Sequence, residues 1–324
     1  MMPANVSLIA IGLVVGPSLT AFGQQAAPHP TLLKSLGYVL QADKLAKSQA
    51  AAVQELTRSD RDLIVIDAAY DGTTRWKKRE LDAIRKGKAD RMVVCYLSVG
   101  EAEDYRPYWK AQWDADKDGS PGLNAPEFLN AENPDWEGNY KVKYWDPQWQ
   151  EIILKEVQLI IEQGFDGVYL DIIDAFEFFE YDARSDDWID HRPNPETGNT
   201  YREDMVQWVS RIRKALNDGG ESRWLIPQNG EALVESKGYL GLIDAIGAED
   251  VFTNGKRPQK KSEVHYRLSF LNKVVEADKP VFVIEYARNQ RAKAAAVDGA
   301  KAAGFSLLLT DRPLKTLGEV DTPW

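Results

Sequence analysis

Two aspartates, Asp171 and Asp174, close an apolar run in the stretch GFDGVYLDIIDAFEFF (164–179), and Glu249 closes another in LIDAIGAEDVF (242–252). Asp171 follows Val168, Tyr169 and Leu170 with no basic residue near it in sequence. A carboxylate at the end of a buried run is costly unless it shifts its pKa or does chemistry. Other apolar runs end in the same way, on Asp67, Glu101, Gln228 with Asn229, Glu285 with Tyr286, and Asp311. Together with Tyr96 and Tyr169, such a ring suits a polyhydroxylated substrate. Cleaving a glycosidic bond needs one carboxylic acid to protonate the leaving oxygen and a second carboxylate on the opposite face.

The elements that would hold these groups alternate along the chain. Eight β-rich runs cover 35–41, 62–70, 91–100, 164–173, 223–230, 242–252, 279–287 and 304–313, with amphipathic stretches between them. In DPQWQEIILKEVQLIIEQ (146–163), Ile152, Ile153, Val157, Ile160 and Ile161 form an apolar stripe, and Asp146 with Pro147 supplies a helix start. Eight strands each followed by a helix predict an α/β chain, a single (β/α)8 TIM barrel with parallel strands. The longest excursion, 101–145, is an insertion after strand 3, on the side that barrel enzymes elaborate for function.

Parity then assigns faces. In strand 4, Gly167, Tyr169 and Asp171 should point inward; in strand 6, Ala245, Gly247 and Glu249 should. Strands two steps apart lie roughly 9–10 Å from each other at about 4.8 Å per step, and inward side chains narrow that gap to the range of a glycosidase pair. Asp171 is expected to be kept ionised by donors around it. Glu249 is expected to be the more buried of the two, or the nearer to another acid.

The net charge of −10 leaves no basic stripe for nucleic acid. Cys95 is the only cysteine, which excludes an internal disulfide and a thiolate cluster, and its strand context makes it a core residue. His29, His191 and His265 are too scattered for a zinc site or a Ser-His-Asp triad. Asp114, Asp116 and Asp118 before Gly119 match the first half of a calcium loop. Its twelfth position is Ala125 and Glu127 falls two residues late, so the reading is a solvated acidic loop. No metal and no cofactor are expected.

Ten Trp and thirteen Tyr make a heavy aromatic load, and Trp109, Trp113, Trp136, Trp145 and Trp188 fall in expected loops. The 101–145 segment is expected over the C-terminal mouth, with some of Tyr105, Trp109, Trp113 and Trp136 along a cleft. The first residues carry a short apolar core, Leu8–Val15, and small residues at Ala21 and Gly23. They predict a signal peptide over 1–23, a linker over 24–34 and the barrel over 35–324, in a secreted or periplasmic, monomeric protein with no membrane span.

The stretches YLSVGEAEDYRPYW, GFDGVYLDIIDAFEFF and IGAEDVFTNGKRP resemble glycoside hydrolase family 114, the endo-α-1,4-polygalactosaminidase-like barrels, over roughly residues 35–315. The resemblance implies a secreted TIM-barrel hydrolase acting on α-1,4-linked, galactosamine-rich polysaccharide, with catalytic acids after strands 4 and 6. Those positions are Asp171 and Glu249, the pair that parity selects. The assignment is Asp171 as nucleophile and Glu249 as general acid/base. At a separation of about 6.5–9.5 Å the inverting alternative would apply and Asp171 would be the base. Two other readings stand beside it: a non-catalytic carbohydrate-binding barrel, and a metal-dependent hydrolase using the ring of acids. The presence of both acids counts against the first, and the scarcity of His against the second.

Overall fold

The computed structural model describes residues 33–321. The expected signal peptide and nearly all of the expected linker lie outside the described residues. Eight parallel strands follow one another: β1 Leu36–Val39, β2 Leu63–Ile66, β3 Met92–Ser98, β4 Gly167–Asp171, β5 Trp224–Pro227, β6 Ile246–Glu249, β7 Val281–Glu285 and β8 Ser306–Leu309. They form two hydrogen-bonded sheets, β1 to β5 in chain order and β6-β7-β8, the second extended by the antiparallel segment Glu319–Asp321. A single parallel bridge, Gln228 to Gly247, joins β5 to β6. On the other side β8 runs beside β1, and past the strand ends the Leu40 N–H donates to the Leu314 carbonyl at 2.8 Å.

Helices α1 Gln49–Arg58, α2 Lys78–Lys86, α3 Pro147–Gln163, α4 Tyr201–Asn217, α5 Lys261–Glu276 and α6 Gln290–Ala303 follow β1, β2, β3, β4, β6 and β7. After β5, where the expected pattern has a helix, there are two 3-10 turns, Glu231–Glu235 and Tyr239–Gly241, separated by Gly238 in the left-handed region. Glycine there stops a turn from growing. After β8 no helix follows within the described residues. The start of α3 is as its sequence indicates: Asp146 accepts from the Gln148 and Trp149 amides, with Pro147 in the first turn, and Gly164 at φ 91 ends the helix.

Burial divides every strand by parity. One apolar cluster takes Leu36 and Tyr38, Leu63 and Val65, Met92, Val94 and Tyr96, Tyr169, Trp224 and Ile226, Ala245, Phe282 and Ile284, and Leu308, so all eight strand regions feed it. The alternate residues, among them Ile64, Val93, Val168, Leu170, Ile246 and Val283, join the larger cluster under the helices. Burying both faces is what near-continuous apolar strands require. Gly247 shows how tight the inner face is. A Cβ there would lie 1.8 Å from the Tyr169 hydroxyl.

The segment after β3 builds a small antiparallel sheet from Glu101–Glu103, Asn139–Val142 and Leu129–Glu132. Its root is pinned at Val99, whose carbonyl accepts from both the Trp149 and Trp208 indoles at 2.9 and 3.3 Å. Trp109 and Trp113 pack on each other, on Tyr140 and on Phe128. Trp145 packs among Tyr144, Phe179 and Tyr201. A loop aromatic with neighbours to cover it gains more from burial than from waiting for a ligand. Asp114 is buried and fastens its loop by accepting from the Tyr140 hydroxyl at 2.6 Å and the Gly119 amide at 3.1 Å. None of the described helices is long and apolar enough to cross a membrane.

Candidate active site

A cavity of about 1250 Å³ opens at the C-terminal ends of the strands. Its wall includes Asp171, Glu249, Asp67, Tyr96, Glu101, Asp174, Gln228, Asn229 and Tyr286. Nine of the twelve residues singled out in the sequence therefore share one space.

The other three do not line it. Tyr169 is fully buried beneath, where its hydroxyl donates to Gln228 Oε1 at 2.5 Å and so holds a wall residue from below. Glu285 lies on the outward parity of β7 with Val281 and Val283. It accepts from the Phe252 and Thr253 amides and the Thr253 hydroxyl, with no exposure. Burial pushes its carboxyl up to about 7, and it fastens the loop after β6. Asp311 lies beyond the end of β8, where it accepts from the Lys315 amide and the Thr316 hydroxyl. Glu285 and Asp311 are corrections to the expected substrate contacts, and Tyr169 is a support rather than a contact.

Asp171 ends β4. Its Oδ2 accepts from the Tyr96 hydroxyl at 2.8 Å and its Oδ1 from the Ile172 amide at 2.8 Å. Ile172 itself sits at φ 58, a left-handed conformation that a β-branched residue adopts only under constraint. Asn229 and Asp250 take the same conformation just beyond β5 and β6, at φ 57 and 51. Burial, then the charges of Glu249 and Asp174, pushes the Asp171 carboxyl well above the usual range. Asp174 is raised to about 6 by burial and by Glu231, and Glu177 to about 7 by burial and by Asp174.

Glu249 ends β6. Its amide donates to Asn229 Oδ1 at 3.0 Å, its carbonyl accepts from Arg267 at 2.5 Å, and its carboxylate accepts from the Tyr286 hydroxyl. Burial raises its pKa, while Tyr286 and Arg312 oppose the rise. The donors expected around Asp171 are present, and it is also the acid on which two other carboxylates, Glu249 and Asp174, act. Arg312, which lightens Glu249, lies 62 residues further along the chain than its partner Asp250.

Several wall residues carried no signal in the sequence. Arg106 pairs with Asp67 at 2.7 Å and Glu103 at 2.5 Å, and Lys141 pairs with Glu101 at 2.6 Å. Carboxylates in the wall outnumber its cations, Arg106, Lys141 and Arg312. Exposed aromatics rim the cavity on two sides: Tyr105 and Trp136 from the segment after β3, Phe178 and Trp188 from the segment after β4. Such rings in a polar cleft can stack on sugar faces while the carboxylates meet hydroxyl or ammonium groups.

The model of glycoside-hydrolase family GH114 matches residues 20–322. The chain belongs to this glycoside-hydrolase family. As a GH114 member it has curated relatives in distant organisms. An uncharacterized protein of Methanocaldococcus jannaschii is 36% identical over 242 residues, 74% of this chain and 64% of its own length. One of Deinococcus radiodurans is 35% identical, over 79% of this chain and 75% of its own length. The chain thus spans less than two thirds of the first relative. Among solved structures, the glycoside hydrolase domain of PelA from Pseudomonas aeruginosa superposes with a TM-score of 0.59 at 16% identity, covering 89% of this chain and 97% of that one. Ega3 from Aspergillus fumigatus, solved in complex with galactosamine, gives 0.59 at 19% identity, covering 93% and 100%. At these identities the GH114 chain shares their fold.

Proposed function

We propose that the eight strands close into a (β/α)8 barrel and that the chain is an exported glycoside hydrolase. Its substrate would be an α-linked, galactosamine-containing polysaccharide, cut by Asp171 and Glu249. One observation carries this reading: the two acids stand at inward positions ending β4 and β6 and line the same aromatic-rimmed cavity. The substrate class is supported by the surplus of carboxylates, which favours a cationic amino sugar, and by the fold shared with Ega3, solved with galactosamine. The inner cluster fed by all eight strands supports closure.

In the retaining form of the reaction, Asp171 attacks the anomeric carbon while Glu249 gives its proton to the departing oxygen. Glu249 then takes a proton from the water that releases the sugar. The two oxygens of Asp171 both accept hydrogen bonds, which suits an ionised nucleophile. An ammonium group bound beside Asp171 and Asp174 would stabilise their ionised forms against the burial that raises both.

The test is hydrolysis of a deacetylated α-1,4-galactosaminan by the full chain, with Asp171→Asn and Glu249→Gln beside it. Product from the parent and none from either variant supports the reading. Binding without product in the parent would leave the carbohydrate-binding alternative. Loss of activity in EDTA would favour the metal-dependent one.

A further inference from the structure

Three adjacent strand ends meet around one cation. Arg312 lies in the loop after β8, with its guanidinium carbon 4.2 Å from the centre of the Tyr286 ring. Tyr286 follows β7, and its hydroxyl donates to Glu249. The guanidinium also pairs with Asp250, the residue next to Glu249. Asp250 is itself fixed: its amide donates to the Ile284 carbonyl at 3.0 Å, and its left-handed conformation turns the chain just past the carboxylate. The circuit Glu249, Asp250, Arg312, Tyr286 therefore closes on itself through one peptide bond, one ion pair, one ring face and one hydrogen bond.

We infer that Arg312 is a positioning residue for Glu249, holding the Tyr286 hydroxyl in place and supplying the counter-charge for the carboxylate left when Glu249 gives up its proton. The inference rests on the reading of Glu249 as acid/base. A guanidinium over a tyrosine face is held by the ring as well as by its carboxylate, so it stays put when the substrate changes. Glu249 needs such a partner because, the Tyr286 hydroxyl and the Asn229 side chain apart, the rest of its surroundings is unhelpful to a negative charge. Asp171 and Asp174 from the end of β4, and Asp250 beside it, are acids. Tyr38 of β1 and Tyr169 of β4 are buried phenols. Arg267 of α5 donates to the Glu249 backbone and pairs with Glu231. Arg312 is the cation that faces its carboxyl, with Tyr286 between them as donor.

The sign follows. Without Arg312, ionised Glu249 is less stable and holds its proton more tightly. The alkaline limb of the pH–activity profile then moves up, by about one unit for a partly exposed cation. Arg312→Gln and Arg312→Lys, in the full chain, are the variants. Two measurements separate this inference from the reading beneath it. Titration of Glu249 by carboxyl-carbon NMR in ligand-free protein needs no activity, and an upward shift in Arg312→Gln that Arg312→Lys largely restores is the expected result. On the galactosaminan, Arg312→Gln should lose about tenfold in kcat with KM little changed. With an α-fluoride of a galactosamine oligosaccharide, whose leaving group needs no proton, the loss in Arg312→Gln should be smaller in the first step, read as the rate of fluoride release in a single turnover. An unmoved Glu249 titration, or a raised KM with an unmoved alkaline limb, would overturn the inference and make Arg312 a substrate contact. A parent chain that cleaves neither substrate would instead overturn the hydrolase reading, whatever the titration shows.

Discussion

The Tyr96 hydroxyl donates to Asp171 Oδ2 at 2.8 Å, tying the inner face of β3 to the carboxylate that ends β4. The bond crosses one rung of the sheet, since Tyr96 and Tyr169 are register partners and Asp171 lies two residues beyond. It stabilises the ionised carboxylate against the burial that opposes it.

Tyr96→Phe should therefore raise the Asp171 pKa and move the acid limb of the pH–activity profile upward. The bond to a charged group is worth about 1.5–3 kcal/mol, so kcat at a pH below the limb should fall by about tenfold or more. Kinetics across pH, with circular dichroism to confirm the fold, checks this.

Asp171→Asn and Glu249→Gln should each fold and lose at least about 10²-fold in rate. Azide added to Asp171→Ala should restore turnover with inverted product if Asp171 is the nucleophile. Near-parental hydrolysis by either isosteric variant removes that residue from the mechanism.

The same aspartate should cost stability at neutral pH. Its folded pKa lies well above the ordinary value near 3.9. Between those two values the unfolded chain has released a proton that the folded one still holds, so stability falls as pH rises through the window. Asp171→Asn should raise Tm at pH 7, and the gain should shrink towards pH 4. A gain that is equal at both would refute the burial argument.

Gly247→Ala should be destabilising by about 1–3 kcal/mol, because the added carbon meets the Tyr169 hydroxyl. Adding Tyr169→Phe, which removes that oxygen, should recover part of the loss, so that the double variant is more stable than additivity allows. Denaturant unfolding of the four proteins tests this.

Trp136→Ala and Trp188→Ala should raise KM several-fold on long chains and much less on short oligosaccharides, since each removes one stacking face away from the acids. Equal effects on both lengths would place the rings elsewhere than on the path of the chain.

The strands were legible because both faces are buried and parity survives: Gly167, Tyr169 and Asp171, and Ala245, Gly247 and Glu249, lie on the sides their alternation predicts. The same rule applied to β7 turns Glu285 outward with Val281 and Val283. Grouping it with the rim by position alone misplaced it. The long segment was opaque for another reason. Nothing in composition distinguishes Trp136, which reaches the cavity, from Trp113, which Phe128 and Trp109 cover. Arg312 was invisible because its partners come from two other strand ends and are joined to it only by the fold.

The two aromatic walls hang on separate ribbons. Trp136 sits between Leu129–Glu132 and Asn139–Val142, and Trp188 on the pairing of Tyr181–Asp182 with Asp187–Trp188, whereas both acids belong to strands of the main sheets. On the proposed reading, what would read the polymer and what would cut it are thus separately heritable. A lineage can lengthen, trade or lose one ribbon and acquire a taste for another chain while its cutting pair stays untouched, and an engineer can graft a ribbon for the same end.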